Sequence, residues 1–125
     1  MKATKKKILI VDDDPNILLS VEFLLVKNGY DVSVARNGME AIEIIEDTVP
    51  DIVLLDIMMP DVDGYVICEF IKKNERTKGA KVIFLSAKSR ELDVEFGYQM
   101  GADLYMVKPF STRTLLEKIK EFIST

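Results

Sequence analysis

The sequence has no histidine among its 125 residues and only one cysteine, Cys68. The first absence removes imidazole as a general acid, general base or metal ligand, and with it the Ser-His and Cys-His nucleophile pairs. The second excludes an internal disulfide and a multi-cysteine zinc site. Long apolar runs are missing too: none approaches the ~18 residues that span a bilayer. Met1–Lys7 is positively charged, yet Ile8–Val11 is too short for the apolar region of a signal peptide. The expected compartment is therefore the cytosol, with no membrane association. The net charge of −4 argues against broad binding to nucleic acid. Lys5, Lys6 and Lys7 form the one basic run and read as a solvated lead-in to a strand.

What remains is ordinary globular material, 48% hydrophobic and 30% charged. The length fits a single domain, residues 1–125, with its own core. Short β-branched runs alternate with helical patterns from end to end. Ile8–Val11, Ile52–Leu55 and Val82–Leu85 are continuous and apolar, as expected of strands buried on both faces. Asp31–Ala35 and Leu104–Val107 are weaker strands. Asp14 can cap a first helix that opens on Pro15, buries Ile17, Leu18, Val21, Leu24 and Leu25, and ends at Gly29. Asn37 with Glu40 resembles a capping arrangement for a second helix on Ala41, Ile42 and Ile45. A third helix is expected from about Tyr65 to Lys73. A fourth, Glu91–Met100, is poorly amphipathic. Ser111 caps the last, with Leu115, Leu116, Ile119, Phe122 and Ile123 on one face. Five such β–α units imply an α/β fold: a five-stranded parallel sheet with helices on both faces, in three layers.

In an open α/β sheet, ligands bind beyond the carboxyl ends of the strands. Those ends carry Asp12, Asp13 and Asp14, then Asp56, Ser86 and Lys108. Each has a bland reading by itself. The aspartate triplet is a helix-capping cluster, Asp56 a strand end, Ser86 a turn residue, and Lys108-Pro109 an uninformative dipeptide. Placed together, the carboxylates repel one another, and a hard divalent cation relieves that repulsion. Mg²⁺ suits an all-oxygen site with few protein ligands. Two carboxylates to hold the metal, one to attack, and a lysine and hydroxyl to stabilise charge make a set suited to phosphoryl transfer.

These residues resemble the receiver domains of two-component response regulators across essentially the whole chain. The matching stretches are Ile8–Pro15, Pro50–Pro60 with Asp63-Gly64, Val82–Ala87 and Gly101–Phe110. The resemblance implies a flavodoxin-like sheet of order 2-1-3-4-5. It implies that Asp56 is the phosphoacceptor, that Asp13 ligates Mg²⁺ directly, and that Asp12 acts more through water. The Met58 backbone carbonyl would complete the protein's share of the metal shell. Lys108 and Ser86 would contact the phosphoryl oxygens, Tyr105 would be the aromatic whose rotamer reports the state, and Lys108–Pro109 would be cis.

Implied partners are a sensor histidine kinase or phosphotransfer protein and a downstream protein or output domain. The chain would be a switch that catalyses its own phosphorylation and dephosphorylation, not a turnover enzyme. Leu104 and Thr114 stand where winged-helix DNA-binding regulators carry acidic residues of a charge-paired dimer face, so a monomer or weak dimer is expected. Two other readings fit less well. An aspartyl phosphatase usually has a second acid–base aspartate where this chain has Met58. An FMN carrier needs a hydroxyl- and glycine-rich phosphate loop where this chain has three aspartates.

Overall fold

The computed structural model describes residues 5–124, so Met1–Thr4 and Thr125 of the expected domain lie outside the described residues. The apolar runs become five parallel strands: β1 (Lys7–Val11), β2 (Asp31–Ala35), β3 (Ile52–Leu55), β4 (Lys81–Ser86) and β5 (Leu104–Val107). Their order is β2-β1-β3-β4-β5, as expected. The connecting helices are α1 (Pro15–Lys27), α2 (Gly38–Thr48), α3 (Gly64–Lys73), α4 (Glu91–Gln99) and α5 (Thr112–Ser124).

The central strands are apolar at every position because both faces are covered, and successive side chains point to opposite faces. Leu9, Val11, Val53, Leu55, Val82 and Phe84 pack on one side with Ala41 and Ile45 of α2 and Ile67, Cys68 and Ile71 of α3. Ile8, Ile10, Ile52, Leu54, Ile83 and Leu85 pack on the other with Leu18, Val21 and Leu25 of α1 and Leu115 and Ile119 of α5. Truncating a fully buried member such as Leu54 to alanine costs about 2–5 kcal/mol.

Local signals set the helix ends. Asp14 caps α1 by accepting from the Asn16 N–H at 2.9 Å. At its far end Gly29 takes φ +88°, and the Gly29 and Tyr30 N–H groups donate to Val26 and Leu25 carbonyls, a Schellman closure. Asn37 caps α2 through the Glu40 N–H, while the Glu40 carboxylate reaches back to the Arg36 N–H, one residue before the cap. Ser111 accepts from the Thr114 N–H at the start of α5. Lys7 departs from the expected lead-in: it is a β1 residue whose N–H donates to Asp51 at 2.7 Å and whose ammonium donates to the Thr48 carbonyl. α4 buries only Asp93 and Gly97, which explains its lack of an apolar face. Among the described residues no helix is long and apolar enough to cross a membrane.

Candidate functional site

The backbone ladder runs one residue past the strands and places the site. The Asp12 N–H donates to Ala35 O at 3.1 Å, Asp56 N–H to Val11 O at 2.9 Å, and Lys108 N–H to Ser86 O at 2.8 Å. Asp12, Asp56 and Lys108 are thus each held by the last residue of the neighbouring strand. Asp12, Asp13 and Asp56 come together, each with a carboxylate oxygen within 4.8 Å of the others'. Asp12 and Asp56 are buried, whereas Asp13 is exposed at the rim. The Lys108 ammonium donates to Asp12 Oδ2 at 2.8 Å and lies 3.7 Å from Asp56 Oδ2. The Lys108–Pro109 bond is cis, as expected.

The electrostatics follow from this crowding. Burial, then the neighbouring Asp12 charge, pushes the Asp56 carboxyl up to about 6. Lys108 and the N–H groups of Ile57 and Met58 pull the other way without cancelling the rise. Burial works against the Lys108 charge, but the Asp12 hydrogen bond and the Asp56 and Asp12 charges outweigh it, so the ammonium lies above its ordinary range. Three hard oxygen donors, one of them open to solvent, fit a Mg²⁺ ion that keeps several waters.

Ser86 is fully buried, and its Oγ accepts from the Lys88 N–H at 3.1 Å. The Tyr105 hydroxyl donates to the carbonyl of the same residue at 2.7 Å. Lys88 therefore joins the serine to the aromatic. The Tyr105 ring lies inward against Phe84 and over Gly97, where a Cβ would sit 2.9 Å from the ring. Tyr65 extends the cluster by packing edge-on against Phe84 and Phe96 and donating to the Asp93 carbonyl at 3.1 Å.

The Met58 side chain is exposed, and its backbone lies two residues beyond Asp56 in the loop between β3 and α3. Gly64 is required by a close approach. A Cβ there would overlap the Asp56 carbonyl oxygen and come within 2.7 Å of Ile57 Cα. The sequence reading missed two contributors. Gly97 carries no local signal, because what it meets is a ring on another element. Asp61 accepts from N–H groups on α2, and the Gly38 N–H chiefly holds its carboxyl below the usual carboxylate range. A groove of about 380 Å³ lined by Ile17, Val21, Lys108, Pro109 and Phe110 opens beside the site.

Residues 8–120 match the model of the response regulator receiver domain. The chain belongs to that family. Solved structures agree. A CheY-like receiver domain protein from Methanospirillum hungatei is 38% identical, with a TM-score of 0.88 over 94% of this chain and 93% of that one. The BeF₃-activated DrrB receiver domain is 34% identical, with a TM-score of 0.90 over 98% and 100%. The chemotaxis regulator CheY4 of Vibrio cholerae is 28% identical, with a TM-score of 0.88 over 95% and 99%. The receiver fold, its acidic cluster and a part in phosphorylation-dependent two-component signalling are thereby established for this chain.

Proposed function

We propose that residues 1–125 act as one receiver unit that takes a phosphoryl group from the phosphohistidine of a partner kinase or phosphotransfer protein onto Asp56. An Asp56 oxygen attacks phosphorus, the P–N bond breaks, and its electron pair returns to the donor imidazole. The observation that carries this reading is the Lys108 ammonium, tied to Asp12 at 2.8 Å and held 3.7 Å from Asp56. Positive charge is already in place where phosphoryl oxygens arrive, so little reorganisation is needed during transfer. Asp13, Asp12, Asp56 and the Met58 carbonyl would hold Mg²⁺, whose bound charge offsets that of the phosphoryl oxygens. Burial among neighbours keeps Asp56 away from bulk water and next to its cation.

The new group adds about −1.5 to −2 charge and strong acceptor oxygens. Ser86 turning its hydroxyl onto them gives up the Lys88 N–H, and Tyr105 feels this through the Lys88 carbonyl that it binds. The two-state element is this loop with α4 and β5, and downstream partners read its surface. The apolar groove beside Lys108 suits the approach of a protein donor. The chain works in the cytosol as a switch without steady turnover. With Leu104 half-buried and Thr114 exposed but uncharged, it is a monomer or weak dimer, binding neither nucleic acid nor membrane directly.

The test is incubation with Mg²⁺ and phosphoramidate or acetyl phosphate, which should add one acid- and base-labile phosphoryl group. Asp56→Asn should abolish the labelling, and wild-type labelling in that variant overturns the assignment. Asp13→Ala should weaken Mg²⁺ binding; an unchanged titration places the metal elsewhere.

A further inference from the structure

We infer that Asp61 is a positioning residue for the metal-assisted chemistry at Asp56. It ties the β3–α3 loop to the N-terminus of α2 and so fixes the Met58 carbonyl. The inference rests on the reading of Met58 given above. The start of α2 presents donors that the helix itself does not fill. A helix leaves its first N–H groups without intrahelical partners. In α2 the Asn37 side chain takes the Glu40 N–H at 2.9 Å, which leaves those of Gly38 and Met39. Asp61, more than twenty residues further along the chain, takes both: Oδ1 accepts from Gly38 at 2.9 Å and Oδ2 from Met39 at 3.0 Å. Oδ1 also accepts from its neighbour Val62 at 2.8 Å, which fixes the carboxylate relative to its own loop.

Packing requires the same contact. A Cβ on Gly38 would stand 2.5 Å from Val62 Cβ and 3.3 Å from Asp61 Oδ1, so only glycine admits the loop here. Val62 and Met59 pack against the core on that side of the sheet. At the other end of the segment the Gly64 N–H donates to Ile57 O at 2.8 Å. Met58 and Pro60 are therefore strung between two fixed points, one at the phosphoacceptor strand and one on α2. Asp63, the other carboxylate of the loop, serves α3 locally by accepting from the Tyr65 N–H at 2.8 Å. Asp61 alone reaches across to a second helix. Groups that orient a metal ligand typically cost 10–100-fold in metal affinity when removed.

The experiment compares wild type with Asp61→Ala, Asp61→Asn and Gly38→Ala. Mg²⁺ affinity is read by calorimetry, the Mg²⁺ dependence of phosphorylation with phosphoramidate, and the fold and the start of α2 by amide exchange. Asp61→Ala should bind Mg²⁺ about tenfold more weakly. Its phosphorylation should recover to within about twofold of wild type at saturating Mg²⁺, because the nucleophile and Lys108 are untouched. Asp61→Asn, which keeps acceptor oxygen, should fall between the two. Gly38→Ala, which leaves the carboxylate but blocks its seat, should match Asp61→Ala. Wild-type Mg²⁺ affinity in both alanine variants, with faster exchange of the Gly38 and Met39 amides, overturns the inference. A wild type that takes no phosphoryl group overturns the site reading and this inference with it. A working wild type with indifferent variants overturns the inference alone.

Discussion

Replacing Asp56 with asparagine should destroy phosphorylation and stabilise the metal-free fold. The carboxyl titrates at about 6 in the fold against 3.8 as the reference. At pH 8 it is ionised in both states, and folding carries the penalty of burying that charge beside Asp12. Shifting a carboxyl that far corresponds to at most about 3 kcal/mol. Solvent at the rim screens part of it, which leaves about 1–2 kcal/mol. Asparagine keeps the shape and removes the charge, so in EDTA at pH 8 the variant should gain that amount, or about 4–8 °C in midpoint. The sign reverses no further down the pH scale. Between about 6 and 4 the folded wild type binds more protons than the unfolded chain, so its stability rises as pH falls. Below about 4 both states are neutral at this residue, and the gap between wild type and variant should close. Urea unfolding followed by circular dichroism at pH 8 and pH 4 measures both ends. A variant less stable than wild type at pH 8, or a gap that persists unchanged at pH 4, refutes the account of Asp56.

Three further outcomes follow from contacts around the site. Lys108→Met leaves two buried carboxylates without their cation; it should cost about 1–3 kcal/mol at pH 8 by urea unfolding and slow phosphoramidate labelling at least tenfold. Gly64→Ala places a methyl against the Asp56 carbonyl; a loss of about 1–3 kcal/mol and slower labelling are expected, and wild-type values in both assays count against the close approach. Gly97→Ala should drive the Tyr105 ring outward, read by NMR as greater solvent contact of the ring; a ring still buried and bonded to Lys88 shows that α4 yields instead.

The sheet was legible because its cause is local. Runs such as Ile52–Leu55 have no polar residue to place on a solvent face, and their short length and β-branched content suit a strand covered on both sides. The site was legible for a related reason: parallel strands bring their carboxyl ends to one edge, so Asp12, Asp56, Ser86 and Lys108 converge once β1, β3, β4 and β5 are neighbours. What could not be read depends on contacts between distant elements. Asp61 resembles any acidic loop residue until α2 is set beside it. Gly97 is an unfavourable residue inside a helix, and its reason is the Tyr105 ring on the next strand. Val49 is the clearest local surprise. The C-cap of α2 takes φ +46° at a β-branched residue, where the usual pattern puts glycine, and no sequence signal marks it.

The three carboxylates differ, and the difference follows from where the chain puts them. Asp12 has both oxygens engaged: Oδ1 accepts from the Asp14 N–H at 2.9 Å and Oδ2 holds Lys108 at 2.8 Å. An oxygen already bound to an ammonium is a poor direct ligand for a dication, because the two positive charges compete for it. Asp13 stands at the rim in contact with water, where an ion arrives still hydrated and exchanges only part of its shell. Asp56 is buried beside both, with the lysine close but not in hydrogen-bond contact. A nucleophile gains from that spacing. The cation is near enough to receive charge as it builds on the phosphoryl oxygens, and far enough to leave an Asp56 lone pair for attack. The arrangement supports the division proposed here, with Asp13 gripping the metal, Asp12 holding the lysine and acting on the ion through water, and Asp56 reacting.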